Sequence, residues 1–184
     1  MLSQFIKENT QDAHKKVEGT IVRQLKNIRN EEDYAQVLKG FYSYFLAVET
    51  EISKFIDSSV LPDLHLRRNS NYIKKDIETL GANVQELPFA KAVTVHSTLQ
   101  ALSSLYVLEG SIMGGPYIVQ MLKKYGLTRG FSFFEGYGED SATMWSKFSD
   151  TLNQHAPSTE QYQEAVDIAN KTFFRFEEVF LSKN

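Results

Sequence analysis

The sequence predicts an all-α fold: a single-domain helical bundle over 1–184, with a distal helix kinked at Pro116. Three observations lead there. Apolar residues recur at three and four over most of the chain. No stretch keeps the alternation of a half-buried strand. The connections between periodic segments are short, which favours helices packed beside their neighbours. With 184 residues, 42% hydrophobic content, 13 Phe and 9 Tyr, the chain can bury one aromatic core.

The elements follow in order. Phe5, Ile6, Ala13, Val17, Ile21, Leu25 and Ile28 set out a first helix over 2–28. A second spans 31–56, and its opening "NEEDY" places carboxylates at a helix N-terminus. "DSSVLPDLHLRRNSN" is a loop. A short helix over 71–80 ends at Gly81, a C′ glycine. Pro88 opens the next helix, which runs to about Tyr125. "GLTRGFSFFEGYGED" is a glycine-punctuated loop, and two more helices cover 140–154 and 158–182.

Composition excludes several functions. The net charge of −3 and the lack of a basic stripe argue against nucleic acid. No run of 18 apolar residues is long enough to span a membrane. The N-terminus lacks the basic start and apolar stretch of a signal peptide, so the expected location is the cytoplasm. Zero cysteines remove disulfides, thiolate metal sites and cysteine nucleophiles.

Two stretches carry chemistry. In "IKENTQDAHKKVEGTI", Lys7, Thr10, His14, Val17 and Ile21 share one helix face, so His14 is expected to point inward. Glu18, one turn on, is placed to hold one ring nitrogen. A lone interior histidine is more often a satisfied core residue than a ligand. No histidine has an acidic residue three positions before it, so the signature of a di-iron bundle is absent. A metal bound by His14 alone would arrive inside a cofactor, of which heme is the obvious one.

The second stretch is "LYVLEGSIMGGPYIV". Each glycine costs about 1 kcal/mol against alanine in a helix interior, and proline about 3 kcal/mol. Small residues there either let two helices approach or leave backbone bare for a flat ligand. Spacing alone favours the first. Pro116 also cannot donate to the Ile112 carbonyl, which then needs another polar partner.

Together these stretches resemble the heme oxygenase family, in particular its small bacterial branch associated with bacteriophytochromes. "IKENTQDAHKKVE" carries the Lys, Thr, His and Glu of the family's first helix at the family's spacings. "YVLEGSIMGG" is similar to the branch's "YVLEGSTLGG", and "FFEGYGEDSATMWSKFSDTL" and "ANKTFFRFEEVF" extend the likeness over nearly the whole chain. The resemblance implies O2-dependent cleavage of heme to biliverdin, CO and Fe2+. Electrons would come from a donor such as a ferredoxin or a reductase.

It also implies roles. His14 would be the iron ligand, oriented by Glu18, with Thr10 and Val17 beside it on the proximal wall. Gly110, Gly114 and Gly115 would lie over the porphyrin. Lys7, Lys171 and Arg175 would meet the propionates. Ser111 stands where animal enzymes carry an aspartate that holds water. Ile112 and Met113 stand where the branch carries Thr and Leu, which makes the pocket more apolar. These departures leave room for an alternative: a heme-binding or heme-storage protein of the same fold that does not degrade its ligand. Thiaminase-like proteins share the architecture, but their cysteine nucleophile is missing here.

Overall fold

In the computed structural model, which describes residues 1–181, seven α-helices and two short 3-10 turns make up the secondary structure, with no strand among these residues. The helices are α1 (Leu2–Asn9), α2 (Gln11–Lys26), α3 (Glu31–Ile52), α4 (Ser70–Thr79), α5 (Thr98–Lys124), α6 (Ser141–Gln154) and α7 (Glu160–Leu181). α7 is the central strut, touching α1, α2, α3 and α5. α4 leans on α3, and α6 on α1 and α5.

The expected first helix is two. The backbone leaves helical geometry at Thr10, at φ −118° and ψ 6°. Its hydroxyl donates back to the Ile6 carbonyl at 2.8 Å, the local bond by which threonine competes with the helical ladder. The ladder restarts at once, with the His14 N–H on the Thr10 carbonyl. α3 begins as expected: the Asn30 side chain accepts from the Asp33 N–H at 2.8 Å, with Glu31, Glu32 and Asp33 in the first turn. Gly81, at φ +77°, follows the end of α4.

Pro88 does not open α5. The helix starts ten residues later at Thr98, capped by Ser97, whose hydroxyl accepts from the Gln100 N–H at 3.2 Å. The preceding segment runs irregularly along α3, fastened at three points. Lys39 donates to the Gln85 carbonyl, Ser43 to the Pro88 carbonyl, and Val95 N–H to the Glu51 carboxylate. These bonds take the partners a helix would have needed.

The core is aromatic. Phe41 meets Phe134 and Phe176 edge-on at 5.1 and 5.2 Å, and Tyr44 stacks on Phe176 at 4.8 Å. The buried Tyr34 and Tyr44 hydroxyls donate to the Gly130 and Thr172 carbonyls, so neither ring buries an unpaired oxygen. Phe131, Phe133 and Phe134 lie in this core, and the half-buried Trp145 packs against it while also bordering a cleft.

Candidate active site

A cleft of about 760 Å³ opens between α2 and α5. Its size is that of a small-molecule or cofactor site. One wall is Lys7 of α1, Thr10, and His14, Val17, Glu18 and Ile21 of α2. The other is Tyr106, Val107, Gly110, Ser111, Met113, Gly114 and Tyr117 of α5. Phe41, Phe173 and Phe176 form the floor, and Trp145 of α6 closes one side. The lining is apolar apart from a few groups near the α2 wall and Ser111.

His14 is not in the interior. Its side chain is 57% exposed, standing in the cleft, because the shared face of α1 and α2 borders the cleft there and is buried at Thr10, Val17 and Ile21 instead. Its ring meets the edge of Phe173 at 5.7 Å and 86°. Nδ1 lies 3.9 Å from Glu18 Oε2, within range of an ion pair but beyond a hydrogen bond. Among the described residues no group of three or more His, Asp or Glu side chains comes together as a metal-binding cluster.

The glycines of α5 divide. A Cβ added at Gly110 or Gly114 would meet nothing within 4 Å, and both residues line the cleft. A Cβ at Gly115 would lie 2.2 Å from the Phe134 carbonyl oxygen. Gly115 is therefore buried against the turn behind α5, and its expected place over the ligand does not hold. Ile112 is turned the same way: it is buried, and its Cγ2 and carbonyl oxygen lie 3.3 and 3.4 Å from where a Gly136 Cβ would stand. The carbonyl that Pro116 leaves without its helical donor is thus covered by Gly136, not aimed at the cleft. α5 itself continues through Pro116.

The remaining expected residues sort the same way. Ser111 and Met113 line the cleft, and the Ser111 hydroxyl donates to the Val107 carbonyl at 3.0 Å. Lys7 and Thr10 line it too. Lys171 and Arg175 do not: Lys171 is exposed on α7, and Arg175 pairs with Glu178 at 2.8 Å.

Sequence reasoning missed two features. Tyr106, Gly110, Gly114, Tyr117 and Met121 recur at four, four, three and four, which marks a single helix face. It also passed over Glu109, a lone carboxylate in an apolar run. Glu109 is 1% exposed and anchors a buried network. Arg67 Nη1 donates to it at 2.8 Å, and the Tyr137 hydroxyl lies 3.2 Å from both of its oxygens. Arg67 also bonds both oxygens of Asp63. Burial pushes the Glu109 carboxyl above the usual range, against the opposing pull of the Arg67 guanidinium. Burial and the Glu109 charge push the Tyr137 phenol up as well.

The chain is thus of the class of all-α proteins with a ligand-sized apolar cleft between two helices, here with a histidine on one wall and bare glycine backbone on the other. The comparisons with known proteins identify which. The family model described as Heme oxygenase matches residues 1–182. A heme oxygenase of Xanthomonas campestris is 30% identical over 147 residues, 79% of this chain and 87% of that protein. Among solved structures, the NO- and CO-bound heme oxygenase of Neisseria meningitidis shares the fold at a TM-score of 0.81 and 20% identity, covering 98% of this chain and 90% of that one. Heme oxygenase-1 of the cyanobacterium Synechocystis, solved in complex with heme, does so at 0.78 and 20%, with the same coverage of 98% and 90%. The chain belongs to the heme oxygenase family. It is a heme-binding enzyme of heme degradation, the family's function, with biliverdin as product.

Proposed function

We propose that heme occupies the α2–α5 cleft as both substrate and cofactor, with its iron held by His14 through Nε2, the ring nitrogen turned away from Glu18. The observation that carries this is the opposition of His14 and the bare Gly110 and Gly114 across one cleft of about 760 Å³. Heme supplies the iron that activates O2 and the ring that is opened to biliverdin, CO and Fe2+.

The chain's own residues do the rest. Gly110 and Gly114 present backbone where side chains would take the ligand's room. Met113, Tyr106, Trp145 and Phe176 exclude water from the ring edge. Ser111 offers the hydroxyl on the α5 wall: rotated off the Val107 carbonyl, its Oγ–H donates into the cleft and its lone pairs hold a water. Phe173 meets the His14 ring edge-on, and Glu18, 3.9 Å from Nδ1, stands where it would orient the ring. Lys7 meets a propionate. Lys7 and Lys15, both at the cleft, give its rim a positive side on which an acidic electron donor, a ferredoxin or a reductase, would dock. Among the described residues no helix is long and apolar enough to cross a membrane, in keeping with a cytoplasmic site of action.

The test is aerobic turnover. The hemin complex, supplied with ferredoxin, its reductase and NADPH, should lose its Soret band as biliverdin absorbance grows. Turnover that persists unchanged in a Gly114→Leu chain would overturn the assignment of this cleft as the site.

A further inference from the structure

α5 has a second face. Glu109, Ile112 and Gly115 follow one another at three and lie roughly opposite Gly110, Gly114 and Tyr117 around the helix. That second face rests on the turn 131–137. The turn is itself fixed elsewhere. The Asp76 carboxylate of α4 accepts from the Ser132 N–H at 2.9 Å, the Ser132 hydroxyl at 2.7 Å and the Phe133 N–H at 2.9 Å. Arg68 Nε donates to the Ser132 carbonyl at 3.2 Å. The turn is therefore a rigid backstop.

Two kinds of contact join backstop and helix. The first is a latch: the Tyr137 hydroxyl donates to the Glu109 carboxylate at 3.2 Å and accepts from the Arg68 N–H at 3.1 Å. The second is a spacer. Gly136, at φ +60°, lies so close that an added Cβ would stand 3.3 Å from Ile112 Cγ2. Both contacts fall within two turns of Pro116, where the helix lacks the hydrogen bond to the Ile112 carbonyl. A helix short of one internal bond yields more easily, so its neighbours fix its path.

We infer that the turn 131–137 sets how far the bare face of α5 reaches into the cleft, with Tyr137 as latch and Gly136 as spacer, so that these two positioning residues determine the room on the Gly110–Gly114 side of the ligand. The inference rests on the reading that heme fills the cleft. It predicts one direction, by two means, for changes at adjacent positions. Tyr137→Phe releases α5 from the turn behind it, so the bare face moves toward the ligand. Gly136→Ala, strained at φ +60°, crowds Ile112 by a few tenths of an ångström and pushes α5 the same way.

The experiment measures the room directly. Methyl and n-butyl isocyanide are titrated onto the ferrous heme complexes of the wild type and both variants, and the affinity ratio of large to small ligand is compared. Tyr137→Phe should lower the ratio about fivefold, the factor to which one ordinary hydrogen bond corresponds. Gly136→Ala should lower it as well. A ratio that rises in either variant, or stays unchanged in both, overturns the inference. A second measurement needs no heme: amide hydrogen exchange over 109–115 in the ligand-free chain should quicken about fivefold in Tyr137→Phe. If the wild type takes up no hemin, the reading of the cleft fails, and the exchange result alone decides the latch: unchanged rates there overturn it.

Discussion

On the cleft face of α5, a methyl group added at Gly110 or Gly114 would meet nothing within 4 Å; on the back face, at Gly115, it would meet the Phe134 carbonyl oxygen at 2.2 Å. The residues are neighbours in one motif, yet glycine serves unlike ends. On the cleft face it keeps space empty for a ligand. On the back face it lets a turn's backbone touch the helix. The same split runs through the polar groups. The cleft face carries only hydroxyl groups, those of Ser111, Tyr106 and Tyr117, while the back face carries a carboxylate, Glu109, with its buried arginine and half-buried tyrosine partners. Stability is thus concentrated behind α5 and ligand space in front of it.

The sharpest way to break this comparison is from behind. Arg67→Met removes the cation from a site holding Glu109 and Asp63, and breaking such a buried pair costs about 3–5 kcal/mol. Denaturant unfolding of the ligand-free chain should show that loss. Gly115→Ala comes next. The methyl must displace backbone, so overpacking should cost about 1–3 kcal/mol by the same measurement.

The complementary change is in front. Gly114→Leu should leave unfolding stability intact or raise it by about 1 kcal/mol, since leucine outranks glycine in a helix. The same variant should abolish biliverdin formation. A Gly114→Leu chain that still turned over heme would mean that α5 does not lie against the ligand. The smallest effect belongs to Arg175→Ala. Its half-exposed pair with Glu178 is worth about 0–1 kcal/mol, and it stands outside the cleft. Hemin affinity and the biliverdin isomer pattern, read by chromatography, should both stay as in the wild type, whereas Lys7→Ala should change the isomer pattern.

What the sequence disclosed follows the same division. The α-helical class and the residues of α3, α4, α6 and α7 to within a few positions rest on spacings within one helix, whereas the pairing of His14 with Gly110 and Gly114 rests on the resemblance to the family, spacing alone favouring helix packing for the glycines. Contacts between distant segments left no such trace. Gly115 owes its identity to Phe134, and Glu109 is explained by Arg67, 42 residues away, and by Tyr137, 28 away. Nothing in "MGGP" separates a glycine that faces a ligand from one that faces a turn. The start of α5 was misplaced for a related reason. Pro88 is a good first residue of a helix, but Lys39, Ser43 and Glu51 of α3 hold the segment extended until Ser97 supplies the cap. Thr10 could have been read locally, since a threonine hydroxyl placed one turn after Ile6 is poised to bond back to its carbonyl.

The central claim is that His14 faces the bare wall of α5 and holds the iron between them. Hemin titrated into the wild type and His14→Ala, with the absorption spectra recorded before and after added imidazole, tests it most directly. The account predicts a one-to-one complex in the wild type, loss of its ferric spectrum in His14→Ala, and recovery of that spectrum when imidazole enters the space the side chain vacated. A His14→Ala complex with the wild-type spectrum before any imidazole is added would show that the iron is held elsewhere and would contradict the account.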